Sequence, residues 1–136
     1  MNKTPPVPGA VLAQMDSPVL DHARLQDYAN ASGDLNPLHL QTDFARQAGF
    51  DDVIAHGMLG MAQLGCLLNS RFGQERILAF STRFVAVVPV GSMLRCTARL
   101  EAIEDEQAIL SLDAVLVTTG QVAISGSARI TWPNED

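Results

Sequence analysis

Residues 56–69 have the sequence HGMLGMAQLGCLLN, which is apolar on almost every side of a helical wheel and carries no charged residue. A helix without a polar face belongs in the interior of a protein. The segment therefore predicts a long central helix that other elements must surround. The rest of the chain has to supply that cover.

The C-terminal half has the pattern needed to cover the helix. Apolar residues alternate with other residues along three segments, at Leu94, Cys96, Ala98 and Leu100, at Ala108, Leu110, Leu112, Ala114 and Leu116, and at Val122, Ile124, Ala128 and Ile130. A period of two indicates strands. With residues 77–88 as the preceding strand, the sequence predicts four antiparallel strands joined by turns at 89–91, 104–106 and 119–121. The fold class is α+β, with a curved antiparallel sheet wrapped around one long helix.

The N-terminal half is predicted to be mostly helix and loop. Residues 1–10 contain three prolines and are expected to be loosely ordered. A helix is predicted over residues 21–31, ended by Ser32 and Gly33. In the following segment, SGDLNPLHLQ, the pair Asn36-Pro37 can cap and start a short helical turn. A second short helix is predicted near residues 43–47.

Composition limits the possible functions. The chain has 136 residues, of which 47% are apolar, so residues 1–136 are expected to form one domain. A net charge of -6 argues against nucleic acid or an anionic membrane as partner. No stretch approaches the roughly 20 apolar residues that span a bilayer, and residues 1–10 lack the apolar run of a secretion signal. Cys66 and Cys96 have no CxxC spacing and are expected to be buried, reduced and inert, which predicts a cytoplasmic location.

Asp34 and His39 are the candidates for chemistry. They lie five residues apart with Pro37 between them, so the turn can aim a carboxylate and an imidazole at one point from a rigid backbone. An acid and a base that face one water molecule are what a hydration reaction requires. Singly, each residue of this loop has an ordinary role in a turn, and the joint spacing favours the functional interpretation.

Tyr28, the sequence SGDLNPLH at 32–39 and the sequence HGM at 56–58 resemble the MaoC-like (R)-specific enoyl-CoA hydratases. The resemblance covers nearly the whole chain and implies a hot-dog fold. It implies (R)-specific hydration of trans-2-enoyl-CoA to (3R)-3-hydroxyacyl-CoA, and the reverse dehydration. Asp34 and His39 would form the catalytic pair, Asn36 would steady the loop, and Gly57 would donate its backbone N–H to the thioester carbonyl.

The chemistry of hydration supports the role of the Gly57 N–H as a donor to the thioester carbonyl. Addition of water to a conjugated double bond places negative charge on the thioester oxygen, and the first turn of a helix offers an unpaired N–H at the positive end of its dipole. The other predicted substrate-binding residues are His56, Met58 as acyl-pocket lining, and Arg83 for the CoA phosphates. Some relatives carry a serine in the central helix, whereas residues 58–68 contain none, which leaves substrate preference open.

Two alternatives stay open. A hot-dog thioesterase or a carrier-protein 3-hydroxyacyl-thioester dehydratase would draw a catalytic carboxylate from the central helix, but residues 57–69 contain no Asp or Glu. The sequence does not distinguish an acyl group on CoA from one on a carrier protein. A non-catalytic acyl-thioester-binding protein is the other alternative, and the intact pair of Asp34 and His39 argues against it.

A single hot-dog unit leaves one sheet edge open, so a homodimer joined edge to edge is expected. No metal is expected, because the three histidines, His22, His39 and His56, show no HxH or HExxH spacing. No cofactor is expected either, since the thioester itself activates the double bond.

Overall fold

The protein's structure, a computed structural model, describes residues 6–132. Its strands are β1 (Val11–Asp16), β2 (Ile77–Phe84), β3 (Leu94–Glu104), β4 (Gln107–Leu116) and β5 (Val122–Thr131). Its helices are α1 (His22–Ser32), α2 (Thr42–Gln47) and α3 (Gly57–Phe72), with short 3-10 turns at Pro37–His39 and Gln74–Arg76. The strands form one antiparallel sheet in the order β1-β3-β4-β5-β2.

The core lies between α3 and one face of the sheet. In β4 every second residue is buried, as a strand with one covered face requires. All the predicted alternating residues of β3, β4 and β5 are buried, except Val122 at the start of β5, which is 38% exposed. From the helix, Leu59, Leu64 and Leu68 pack into the same cluster. The predicted α+β class, with a sheet against one long helix, is confirmed.

The sheet has five strands, and the sequence predicted four. The missing strand is β1, which pairs with β3 alone and has no fully buried residue. Its sequence, VLAQMD, has no strict alternation because an edge strand that is half exposed on both faces needs none. Of residues 1–10, those from 6 onward are described, and the Gly9 N–H donates to the Leu100 carbonyl at 2.7 Å. This part of the N-terminal segment is therefore tied to β3.

The prediction that α3 is surrounded on all sides is wrong for the single chain. The sheet covers one side of the helix, and Met58, Ala62 and Cys66 are exposed on the other. Cys66 is a free, exposed thiol and not the buried one that was expected. Cys96 is buried, and burial raises the pKa of its thiol to about 12, which keeps it unreactive at neutral pH. One apolar face of α3 thus has no cover from its own chain.

Strand β2 ends at Phe84, four residues earlier than predicted. The N–H groups of Val85 and Ala86 still donate to the Ala123 carbonyl of β5. The chain then runs beside residues 53–55, where the Ala55 N–H donates to the Val88 carbonyl and the Val90 N–H donates to the Val53 carbonyl. Residues 53–55 come immediately before α3. The segment after β2 is therefore held against the beginning of the central helix, where the candidate site lies.

The predicted turns and short helices are present. Asp105 and Glu106 connect β3 to β4 with φ angles of 52° and 61°, the left-handed region that a tight hairpin needs. Gly33 ends α1 in the same region, with φ of 80°. In the part of the chain that is described, no helix has the length and apolar character to cross a bilayer.

Candidate active site

The loop from Ser32 to Leu38 is shaped by its own side chains. Ser32 Oγ accepts a hydrogen bond from the Asp34 N–H at 3.1 Å, Asp34 Oδ1 accepts one from the Asn36 N–H at 3.3 Å, and Asn36 Oδ1 accepts one from the Leu38 N–H at 3.0 Å. Each bond spans two residues, the pattern by which short polar side chains fold a chain into turns. Asn36 caps the 3-10 turn that begins at Pro37 and ends at His39.

His39 has a defined proton arrangement. Its Nδ1 lies 2.7 Å from the Ile54 carbonyl oxygen. A carbonyl oxygen can accept a hydrogen bond but not donate one, so Nδ1 carries the proton and Nε2 of the neutral ring keeps a free lone pair. Ile54 is held in turn, because its N–H donates to the Leu38 carbonyl at 3.1 Å.

The Asp34 carboxylate faces this free nitrogen. Asp34 Oδ2 and His39 Nε2 are 4.0 Å apart, too far for a direct hydrogen bond but close enough for one water molecule to bond to both. The Asp34 side chain is 50% exposed and the His39 side chain 12%. The pair therefore consists of a carboxylate that faces solvent and an imidazole that is largely buried.

His56 lies behind this pair. It is 2% exposed, and its Nε2 donates to the Asp34 backbone carbonyl at 3.1 Å. Its ring stacks on the His39 ring, with centroids 3.9 Å apart and planes inclined by 25°. Tyr28 meets the His56 ring edge-on, at a centroid distance of 4.8 Å. Burial lowers the pKa of His56, so its ring is neutral at physiological pH.

The start of α3 offers free backbone donors. Gly57 and Met58 are the first two helical residues, and in residues 6–132 their N–H groups have no acceptor. Leu59 and Gly60 instead donate to the His56 carbonyl. Unpaired N–H groups at the positive end of a 16-residue helix attract negative charge. Gly57 has no side chain to obstruct an approaching group.

A cavity of about 380 Å³ opens beside these groups. This volume lies in the range of roughly 300–1,000 Å³ that is typical of small-molecule sites. His39, Gly57 and the ring of Phe84 border it, and the segment after β2 forms a wall that is almost wholly apolar. The full lining consists of His39, Ile54, Ala55, His56, Gly57, Gly60, Phe84, Val85, Ala86, Val87, Val88 and Ile124. The cavity suits an apolar chain that presents a polar group near His39.

The predicted site residues fall into three groups. Asp34 and His39 face each other, Gly57 shares the cavity with His39, and Asn36 shapes the loop between them. His56 borders the cavity, but the hydrogen bond of Nε2 is already used on Asp34. Met58, predicted as pocket lining, is 55% exposed on the uncovered side of α3 and does not border the cavity.

Arg83 and the cavity wall at residues 84–88 follow one another along the chain. Arg83 is exposed on β2, next to Phe84, so a role with the CoA phosphates stays a prediction. Sequence reasoning missed the wall at residues 84–88, which it interpreted as the end of a strand. The signal that could have revealed it is the run FVAVVPV, whose apolar residues are consecutive and whose proline cannot continue a sheet ladder.

The arrangement does not favour a shared metal ion. Ligand atoms of Asp34, His39 and His56 all lie within 4.8 Å of one another. However, imidazole lone pairs lie in the ring plane, and the two stacked rings are nearly parallel, so their lone pairs do not converge on one point.

Comparisons with known proteins agree with this geometry. The chain is 32% identical over 114 residues to the (R)-specific enoyl-CoA hydratase of Aeromonas caviae, across 82% of this chain and 85% of that protein. It is 34% identical over 107 residues to the fatty acid synthase beta subunit TOXC of Cochliobolus carbonum, across 76% of this chain but 5% of that much longer protein. The solved structure of the A. caviae (R)-hydratase superimposes with a TM-score of 0.79 at 29% identity, covering 93% of this chain and 97% of that one.

The family model described as MaoC like domain matches residues 3–121, which is most of the chain. The resemblance predicted from the motifs at 32–39 and 56–58 is thereby confirmed. Together with the hot-dog fold, these matches show that the chain belongs to the MaoC-like hydratase and dehydratase family.

Proposed function

We propose that this chain is an (R)-specific enoyl-CoA hydratase, which adds water to trans-2-enoyl-CoA to give (3R)-3-hydroxyacyl-CoA and catalyses the reverse dehydration. The observation that carries the proposal is the free Nε2 of His39, 4.0 Å from the Asp34 carboxylate at the edge of an apolar cavity. A base and a carboxylate at this spacing can hold one water molecule against the double bond of a bound acyl chain.

The proposed mechanism uses His39 as the base. Its Nε2 takes a proton from the water as the water oxygen bonds to C3, while Asp34 accepts a hydrogen bond from the remaining O–H. The electrons of the double bond move through C2 to the thioester oxygen and form an enolate. The His39 imidazolium then returns the proton to C2, and the neutral ring is restored. Both additions occur on the face that the water occupies.

The enolate oxygen needs a donor, and we assign that role to the N–H of Gly57. Gly57 borders the cavity and lies at the beginning of α3, where the helix dipole is positive. In other enzymes the loss of one such donor raises the barrier by about 2.7–4 kcal/mol.

The test is turnover of an enoyl thioester by the purified protein. Crotonyl-CoA and longer 2-enoyl-CoAs are mixed with the enzyme, the loss of enoyl-thioester absorbance is followed, and product chirality is determined with (R)- and (S)-specific dehydrogenases. We expect loss of absorbance and a (3R) product. His39→Ala and Asp34→Asn should each lower the rate at least about 10²–10⁴-fold.

Two exposed residues provide matched controls. His22→Gln and Asp43→Asn alter the same residue types on α1 and α2, away from the cavity, and should keep wild-type rates. An (S) product, or full activity in both site variants, would overturn the proposal. Turnover of carrier-protein thioesters but not CoA thioesters would favour the dehydratase alternative, and binding without turnover would favour the non-catalytic one.

We also propose that the chain acts as a homodimer. Strand β2 is an edge of the sheet, and Leu78, Phe84 and Val85 on or just after it are 49–55% exposed. An exposed apolar edge strand favours pairing with another strand. Because residues 84–88 also border the cavity, a second copy at this edge would cover the cavity's outer side.

Light scattering during size-exclusion chromatography tests this assembly. We expect the mass of a dimer for the wild type and of a monomer for Leu78→Lys, since a charged side chain on an edge strand disfavours edge pairing. Val11→Lys is the matched control, because Val11 is 52% exposed on the opposite edge strand, β1. A monomeric wild type would contradict the proposal. A cytoplasmic location remains part of the proposal and is supported by the two free thiols.

A further inference from the structure

His56 contacts both Asp34 and His39, although the proposed mechanism gives it no step. It is 98% removed from solvent, and its Nδ1 has no hydrogen-bond partner in the part of the chain that is described. A buried polar atom without a partner is costly, and most buried polar atoms have one. The residue caps α3 by position but makes no capping hydrogen bond with its side chain. Helix capping therefore does not explain an imidazole here.

The first contact fixes the carboxylate. The His56 Nε2–H donates to the Asp34 backbone carbonyl across 22 positions of sequence. The other hydrogen bonds of Asp34 are local, to Ser32 and Asn36, and they set the shape of the loop without setting its place on the protein. The bond from His56 therefore attaches an exposed loop to the buried beginning of α3.

The second contact fixes the base. His39 is held at one atom, Nδ1, by the Ile54 carbonyl, and a ring held at a single point can still rotate about it. The stacked ring of His56, with its centroid 3.9 Å away, restricts that rotation and leaves Nε2 on the side of the Asp34 carboxylate. Tyr28 packs edge-on against His56 and so keeps this support in place.

We propose that His56 is a positioning residue: its Nε2–H holds the Asp34 main chain while its ring face supports the His39 ring, which sets the distance between the two catalytic side chains. This inference rests on the proposed function. It also accounts for a neutral ring at this place. When His39 takes the proton it becomes a cation, and the face of a neutral aromatic ring attracts a cation where a charged one would repel it.

The two contacts can be removed one at a time. His56→Phe keeps an aromatic ring beneath His39 but loses the hydrogen bond to Asp34, whereas His56→Gln keeps an N–H donor and loses the ring. His56→Ala loses both. A displacement of about 1 Å in a reacting group can cost roughly 10²-fold, so we expect kcat of His56→Ala on crotonyl-CoA to fall about 10²-fold with KM nearly unchanged. The Phe and Gln variants should lie between it and the wild type.

Two further readouts separate positioning from general stability. The acidic limb of the kcat/KM pH profile, which reports the base, should move in His56→Ala and move less in His56→Phe. In ¹⁵N NMR spectra, His39 should show a single Nδ1–H tautomer in the wild type and a mixture of tautomers in His56→Ala. The titratable groups that face His56 are Asp34, His39 and Tyr28. His22→Gln is the control for the loss of a histidine.

The outcomes distinguish the two proposals. Unchanged kcat and an unchanged His39 tautomer in all three variants would overturn the positioning role while wild-type turnover left the hydratase function standing. A rise in KM with constant kcat would also overturn it, because it would make His56 a substrate-binding residue. If the wild type turns over no enoyl thioester, the proposed function fails, and the NMR comparison still decides whether His56 orients His39.

Discussion

The site joins two segments that are built in opposite ways. The loop at residues 32–39 is largely exposed and takes its shape from hydrogen bonds between residues two positions apart. The start of α3, residues 56–60, is held by contacts with β2, β5 and the loop, which are distant in sequence. The loop should therefore be sensitive to the loss of single polar atoms, and the start of the helix to changes in volume.

The largest loss of stability is expected from a substitution of Gly60, at the buried side of α3. A Cβ added there would lie 2.6 Å from Ile124 Cδ1, and Ile124 is 1% exposed. Valine adds two more methyl groups, so Gly60→Val should lower the free energy of unfolding by about 1–3 kcal/mol, the usual cost of overpacking a core. Urea unfolding followed by circular dichroism measures it.

Gly65→Val is the matched control in the same helix. Its Cβ would lie 3.6 Å from the Phe80 ring, an ordinary contact, and the position is partly exposed. We expect a smaller loss of stability than at Gly60. Equal losses at both positions would mean that the packing against Ile124 does not determine the result, because helix propensity alone favours valine over glycine at either position.

A smaller effect is expected from Asn36 in the loop. Asn36→Ala removes the acceptor for the Leu38 N–H and should lower the free energy of unfolding by about 1 kcal/mol, as the loss of a cap does. Because the 3-10 turn ends at His39, kcat should fall as well. Crotonyl-CoA kinetics and urea unfolding measure both quantities.

Asn36→Ser restores a hydroxyl acceptor without adding charge and should recover most of the loss, because serine caps nearly as well as asparagine. If serine and alanine behave alike, the side-chain hydrogen bond to Leu38 is not what holds the turn.

The same difference explains what the sequence could predict. Asp34, Asn36 and His39 could be identified because their geometry follows from local rules and a motif with fixed spacing. The face of α3 that its own chain leaves uncovered, with Met58 and Cys66, could not be identified, since a helix that is apolar all round looks alike whether its own chain or another covers it.

Contacts that are distant in sequence account for the other differences. Strand β1 and the wall at residues 84–88 were missed because both depend on partners far along the chain, β3 and residues 53–55. The contact of His56 with Asp34 spans 22 positions and was invisible for the same reason. The sequence could identify His56 as a site residue, but its contacts with Asp34 and His39 could be seen only in the structure.

The smallest effect is expected from pH, and it concerns the buried histidine that joins the two segments. Burial lowers the pKa of His56 below its ordinary value of 6.5 in the folded protein. Between the folded and unfolded pKa values the unfolded chain binds the proton more readily, so His56 should reduce stability as the pH falls below about 6.5 and leave it unchanged above.

His56→Phe removes this contribution. Urea unfolding at pH 7.5 and pH 5.5 should therefore show a larger decrease for the wild type than for His56→Phe. Equal decreases in the wild type and His56→Phe would mean that His56 takes up a proton in the folded protein as easily as in the unfolded chain, and the neutral support beneath His39 would then be lost at mildly acidic pH.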